Sequence, residues 1–148
     1  MPDGGGNALA ELYQELILDH YRRPRNQGSL EAYSRRVALA NPTCGDELEL
    51  DVLLDGDTIT DVRFSGHGCS ISQASASMMT QLVKGKTVAE ARRLAGRFSE
   101  MMHGSAEAAR DRTLGEARAL AGVARFPVRV KCALLGWNAL EESTKDHR

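Results

Sequence analysis

The stretch "LELDVLLDGDTITDVRF", residues 48–64, decides the fold. In its first half apolar residues alternate with acidic ones, which is the pattern of a strand with one buried face. The apolar positions are Leu48, Leu50, Val52 and Leu54. The Asp-Gly-Asp at 55–57 is a tight-turn signal, and "TITDVRFSG" supplies the returning strand. The stretch therefore predicts an antiparallel hairpin.

The chain before and just after the hairpin predicts one more strand and two helices. "RRVALAN" upstream adds a third strand to the sheet. Apolar residues at helical spacing over 9–17 predict a first helix, with Asn7 as its cap. A second helical pattern begins near Ile71. We expect the serines of "CSISQASAS" to face solvent or to cap this second helix.

The C-terminal half is predicted to be helical. Thr87 and Glu90 form a capping-box pattern that opens a helix reaching about Met102. Residues 104–123 are rich in alanine and charge and are also predicted to be helical. A last helix should start near Pro127, because proline suits a first helical position. A helix, then antiparallel strands, then helices predicts an α+β fold, with a small three-stranded sheet packed against several helices.

Length and composition exclude several classes of protein. A chain of 148 residues suggests one compact domain, 1–148, and the glycines within residues 1–6 suggest a flexible lead-in. A net charge of -1 gives no basic field for nucleic acid. No apolar run approaches the ~20 residues that span a bilayer, and no secretory signal is recognisable, so we expect a cytoplasmic protein without a membrane partner.

Three cysteines and one aspartate are the candidate functional residues. Cys44 lies on the turn before a strand, Cys69 lies where the hairpin gives way to a helix, and Cys132 lies near the start of the last helix. Asp46 is two residues from Cys44, and Gly45 between them permits a bend. If these junctions meet, the four side chains supply enough ligands for a tetrahedral zinc site.

The same residues also have simpler interpretations. Each cysteine alone is more often a small buried apolar residue, and an aspartate in a Gly-Asp turn usually bonds its own backbone. Three thiolates and a carboxylate around Zn²⁺ would also leave a formal charge of -2. The basic residues that can support this charge are Arg125, Arg129 and Lys131.

Four blocks of sequence carry a resemblance to a known family. "ILDHYRRPRNQG", "NPTCGDELEL", "FSGHGCSISQASASMM" and "FPVRVKCALLGWNAL" resemble the successive signatures of the U-type iron–sulfur cluster assembly proteins, the IscU/NifU-like family. The resemblance implies an α+β fold. It also implies that the family's ligand cysteines are Cys44, Cys69 and Cys132 and that its ligand aspartate is Asp46.

Two departures from IscU proteins make the chain similar to the SufU branch. Lys131 stands where IscU proteins have a histidine before the third cysteine. The 62 residues between Cys69 and Cys132 (70–131) exceed the IscU spacing, and the extra length resembles a SufU-type insertion at about 104–123.

The resemblance to SufU implies a zinc-dependent sulfur acceptor. Such a protein takes persulfide sulfur from a SufS-type cysteine desulfurase, with Cys44 as the acceptor, and passes it to downstream iron–sulfur assembly proteins. It is a sulfurtransferase-like partner rather than a stand-alone enzyme. Two alternatives stay open: a scaffold that assembles a [2Fe–2S] or [4Fe–4S] cluster on the same residues, and a structural zinc domain that only binds a partner.

Overall fold

The computed structural model describes the backbone of residues 4–145 and the side chains from residue 9 onward. It has the predicted α+β architecture, with one three-stranded antiparallel sheet and several helices. The elements are α1 Gly4–Arg22, β1 Arg35–Asn41, β2 Asp46–Asp55, β3 Thr58–His67, α2 Ser70–Val83, α3 Val88–Met102, α4 Ala106–Ala109, a 3₁₀ segment Arg112–Arg125 and α5 Pro127–Thr144. Among the helices described within 4–145, none is long and apolar enough to cross a bilayer.

The sheet has the order β1-β2-β3, and both strand pairs are antiparallel. The predicted hairpin is confirmed, with Asp55 opposite Thr58 at its turn. One face of the hairpin is buried in the core through Leu48, Leu50, Val52, Ile59, Val62 and Phe64. This apolar face packs the sheet onto the helices, because burial of apolar surface is the main favourable term in folding.

Two of the predicted helix starts are confirmed, and the predicted cap of the first helix is wrong. The Thr87 hydroxyl accepts the Glu90 N–H at 3.1 Å, which confirms the predicted cap of α3. Pro127 is the first residue of α5, also as predicted. The prediction of Asn7 as a cap is wrong, since α1 already begins at Gly4. The predicted lead-in, residues 1–6, lies partly outside the described residues, and its flexibility stays a prediction.

Three of the four serines of α2, Ser72, Ser75 and Ser77, are buried, so the expectation that the serines face solvent is wrong for these three. Ser75 donates a hydrogen bond of 2.6 Å to the carbonyl oxygen of Ala133 in α5 and accepts one of 3.2 Å from Trp137 Nε1. Gly136 lies so close that an added Cβ would stand 3.2 Å from Ala76. Small side chains are buried here because α2 is covered on most sides and α5 approaches it closely.

A buried histidine joins three helical elements. His20 of α1 is fully buried, and its Nδ1 lies 2.7 Å from the hydroxyl of Ser77 in α2. Its Nε2 lies 2.7 Å from Oε1 of Glu116 in the 3₁₀ segment. The Arg25 N–H donates to the same Ser77 oxygen at 2.8 Å. We name this set of side chains, His20, Ser77 and Glu116, the histidine clasp.

Residues 104–123 are helical, as predicted, but only partly in the α form. They contain the single-turn α4 and most of the 3₁₀ segment, which is interrupted at Gly115 with φ +54° and ψ −134°. Only glycine adopts this conformation readily. That this stretch is an insertion relative to other family members stays a prediction.

Candidate metal centre

Cys44 and Asp46 reach the site from the turn between β1 and β2. The Cys44 N–H donates to the Asn41 carbonyl oxygen at 3.2 Å, which closes the turn. Gly45 follows with φ +71°, a conformation that favours glycine. Asp46 then begins β2 with a buried side chain, whereas Cys44 is half-buried. The turn therefore leaves Cys44 partly accessible to solvent and directs the Asp46 carboxylate inward.

Three predicted ligands meet at one point. One ligand atom each from Cys44, Asp46 and Cys132 lies within 4.8 Å of the other two. The two sulfur atoms are 3.0 Å apart. Cys132 is fully buried in the second turn of α5, and the Val128 carbonyl oxygen one turn earlier lies 3.7 Å from its sulfur. These three residues can hold a metal ion.

Asp46 has one satisfied and one unsatisfied carboxylate oxygen. Its Oδ1 accepts the backbone N–H of Cys69 at 3.0 Å. Its Oδ2 is buried and has no hydrogen-bond donor among the described residues. An unpaired buried carboxylate oxygen is costly, and a bound cation would satisfy it. The donor set therefore fits a metal ion, and the unpaired Oδ2 of Asp46 supports this fit.

The fourth predicted ligand, Cys69, lies beside this group rather than within it. Cys69 is the N-cap residue of α2 and is half-buried. It is not one of the residues whose ligand atoms fall within 4.8 Å of one another. Its side chain nevertheless interacts with Cys132, and its N–H is bonded to Asp46. The coordination of a metal by Cys69 stays a prediction.

The surroundings of Cys132 disfavour the thiolate form of its side chain. Burial raises the pKa of Cys132, and its contacts with Cys44, Asp46 and Cys69 raise that pKa further. A neighbouring cation reverses this preference, because ligand thiols must lose their protons when a metal binds. A cation bound among these side chains would therefore stabilise the deprotonated form of Cys132.

The basic residues proposed to support the charge are exposed around the start of α5. Arg125 ends the 3₁₀ segment, while Arg129 and Lys131 lie in the first turns of α5. None of the three forms an ion pair within the part of the chain that the structure describes. Their role in charge compensation stays a prediction.

His67, which was not proposed as a ligand, is exposed, and its Nε2 lies 2.9 Å from Oε2 of Glu47.

Gly68 is a site residue that sequence reasoning missed. A Cβ at this position would stand 2.6 Å from Oδ1 of Asp46 and would also collide with the Ser72 hydroxyl. Only a residue without a side chain lets the end of β3 pass this close to the carboxylate. The signal in the sequence is a glycine directly before Cys69, in "GHGC".

The fold and site together define an α+β domain with a candidate metal site made of thiol and carboxylate groups. Residues 12–146 match the family model described as the NifU-like N-terminal domain. The chain therefore belongs to this family of iron–sulfur cluster assembly proteins. The resemblance drawn from the four sequence blocks is confirmed.

Two of the similar proteins carry different functional names. One, named zinc-dependent sulfurtransferase SufU, from Bacillus subtilis, is 51% identical over 134 residues and covers 90% of each chain. Another, named iron–sulfur cluster assembly scaffold protein IscU, from Streptococcus pyogenes, is 50% identical over 137 residues, covering 93% of this chain and 85% of that protein.

A solved structure supports the fold. The crystal structure of a protein from Fervidobacterium islandicum, described as an iron–sulfur cluster assembly scaffold for the SUF system, superposes with a TM-score of 0.82. It is 39% identical and covers 90% of this chain and 96% of that one.

Proposed function

We propose that this chain is a zinc-dependent sulfur acceptor that takes persulfide sulfur from a SufS-type cysteine desulfurase in the cytoplasm. It would pass the sulfur to downstream proteins of iron–sulfur cluster assembly. The observation that supports this proposal most directly is the contact between Cys44, half-exposed on a turn, and the buried Cys132 beside Asp46. The accessible Cys44 thiol can react with a partner protein, while the buried Cys132 thiol keeps the metal in place.

The donor set suits Zn²⁺, which binds thiolates and carboxylates in four-coordinate sites. Cys44, Asp46 and Cys132 would hold the ion, with Cys69 as the fourth ligand. Bound zinc would keep the thiols deprotonated. Asp46 is the harder ligand and exchanges more readily than a thiolate. A site built only for stability gains nothing from such a ligand, which weighs against a purely structural zinc domain.

Cys44 is the residue best placed to accept sulfur. Its turn contains Gly45 at positive φ, whereas Cys132 is held within α5 and Cys69 at the start of α2. In the transfer, the Cys44 thiolate attacks the terminal sulfur of the desulfurase persulfide. The donor S–S bond breaks, a new S–S bond forms on Cys44, and the desulfurase cysteine leaves as a thiolate.

A scaffold for an iron–sulfur cluster is the second candidate. The Streptococcus pyogenes relative that bears the scaffold name is as similar as the one named sulfurtransferase. The same cysteines and Asp46 would hold a cluster, since thiolates are its usual ligands. Lys131 weighs against it, because this position offers no imidazole to the metal. Protein purified without added iron separates the two: zinc at one per chain supports the acceptor, and a brown protein with visible absorption supports the scaffold.

The direct test is persulfide formation on individual cysteines. The chain is incubated with a SufS-type desulfurase and cysteine, and each cysteine peptide is read by mass spectrometry alongside metal content. We expect the added sulfur on Cys44. Cys44→Ser should abolish sulfur acceptance while some zinc remains bound, and Cys69→Ser or Cys132→Ser should lose both. Thr43→Ser, on the same turn, is the matched control and should behave as wild type. Normal sulfur uptake by Cys44→Ser would disprove the assigned role.

A further inference from the structure

The distance between the sulfur atoms of Cys44 and Cys132 lies between the value for two ligands of one zinc ion and the value for a disulfide. They lie 3.0 Å apart. Two thiolates at about 2.3 Å from one tetrahedral zinc ion would be about 3.8 Å apart. A disulfide brings the two sulfurs to about 2.0 Å. A shift of about 1 Å in either direction therefore separates metal binding from disulfide formation.

Access to the pair is unequal. Cys44 is half-buried on a turn, so a small oxidant reaches it from solvent, whereas Cys132 is fully buried behind it. Such an arrangement separates a reacting cysteine from a resolving one. Cys69 lies outside the tight group formed by these two thiols and Asp46, although it borders the same site.

We propose that Cys44 and Cys132 form an oxidative modification site, in which a peroxide closes a disulfide between them when no metal is bound. The Cys44 thiolate attacks one peroxide oxygen, the O–O bond breaks, and a water leaves after protonation. Cys132 then attacks the resulting sulfenic acid, the S–O bond breaks, and a second water leaves. Two thiols are oxidised by two electrons, and one peroxide is reduced to two waters.

Metal and disulfide exclude each other, because both use the same two sulfur atoms. An oxidised chain keeps only Asp46 and Cys69 as donors and cannot hold zinc as the reduced chain does. Zinc in turn occupies the Cys44 sulfur and protects it from peroxide. This proposal rests on the geometry of the thiols and does not depend on sulfur transfer.

Peptide mapping tests the proposal in the full-length chain, since trypsin places the three cysteines on separate peptides. Cys44 lies in 37–63, Cys69 in 64–84 and Cys132 in 132–145. Chelator-treated protein is exposed to hydrogen peroxide and mapped without reduction. We expect a chain about 2 Da lighter, with 37–63 linked to 132–145 and with Cys69 still open to alkylation. Zinc uptake should be lost and should return after a dithiol reductant is added.

The variants and the zinc-loaded chain supply the controls. Cys69→Ser should form the same disulfide, whereas Cys44→Ser and Cys132→Ser should not, and circular dichroism checks that each variant is folded. The zinc-loaded chain should resist the same peroxide dose. A link that involves Cys69, a link between two chains, or over-oxidised Cys44 with a free Cys132 would each overturn the proposal. Equal oxidation with and without zinc would overturn the mutual exclusion.

Discussion

The backbone N–H of Cys69 donates a 3.0 Å hydrogen bond to Oδ1 of Asp46. This bond joins the start of α2 to the start of β2. It occupies one carboxylate oxygen and leaves the other, Oδ2, buried and without a donor. Asp46 thus has a structural oxygen and an oxygen available to a cation.

Asp46→Asn should separate these two tasks. The amide keeps an oxygen that can accept from Cys69, but it loses the charge and the second oxygen. We expect the metal-free variant to fold with unchanged stability and to bind zinc at least about tenfold more weakly. Competition with a chromophoric chelator gives the affinity. Asp46→Ala removes both oxygens and should also loosen the N-terminus of α2. Wild-type zinc affinity in the asparagine variant would remove Asp46 from the ligand set.

Gly68→Ala should disturb the site without touching a ligand. The new methyl group would push against Asp46 Oδ1, so the carboxylate must move. We expect weaker zinc retention and a lower melting temperature. Gly96→Ala in α3 is the matched control, because an added Cβ there meets nothing within 4 Å and alanine favours a helix interior. If both variants retain zinc equally, the close approach at Gly68 has no role in positioning Asp46.

Metal removal should lower stability without unfolding the chain. The apolar core formed by the sheet, α2, α3 and α5 does not depend on the cluster. Zinc at a thousand times its dissociation constant contributes about 4 kcal/mol, which for a chain of this size corresponds to a melting temperature on the order of 10 °C higher. Circular dichroism before and after chelation measures both quantities. Complete loss of helical signal at room temperature would show that the metal is needed for folding.

The buried Asp51 should make stability fall in acid. It accepts hydrogen bonds from Arg36 at 2.6 and 2.9 Å and from the Leu30 N–H at 2.9 Å. The Arg36 hydrogen bonds hold the pKa of Asp51 below its ordinary value, and the Leu30 N–H adds to the effect. A lowered folded-state pKa contributes stability that is complete above the unfolded pKa of about 3.9 and is lost as the pH falls through the folded value.

Asp51→Asn should therefore cost about 2–3 kcal/mol at neutral pH, and the difference from wild type should shrink below the unfolded pKa. Urea unfolding of the metal-free chain at several pH values measures this. Glu31→Gln, at an exposed carboxylate, is the control and should change little. A difference that stays constant down to strong acid would show that the charge of Asp51 contributes nothing.

The features predictable from sequence were those with a local physical cause. Alternation produced the hairpin, the Thr87 hydroxyl produced a cap, and Pro127 produced a helix start, since each depends on neighbours in the chain. The burial of Ser75 in α2 is not predictable from its neighbours in the chain, because it depends on α5, about sixty residues away. Burial by distant elements leaves no mark in a serine's own sequence neighbourhood.

The site was predicted in outline for a different reason. Three cysteines at three junctions stand out because cysteine is scarce, and a hairpin returns Cys69 toward Cys44. The spacing of the cysteines does not show that the Cys132 sulfur contacts the Cys44 sulfur while Cys69 lies outside this group. That arrangement depends on how α5 packs. Gly68 was missed because a steric requirement for the absence of a side chain is visible only in three dimensions.

In the histidine clasp, one imidazole ring connects the 3₁₀ segment to α1 and α2. The Nε2 atom of His20 has its partner in Glu116, while Nδ1 has its partner in α2. A relative of the same fold that lacks the segment would leave a buried ring nitrogen without a partner. Shortening this stretch by evolution or by engineering should therefore require a compensating change at the position of His20, and the two changes should be inherited together.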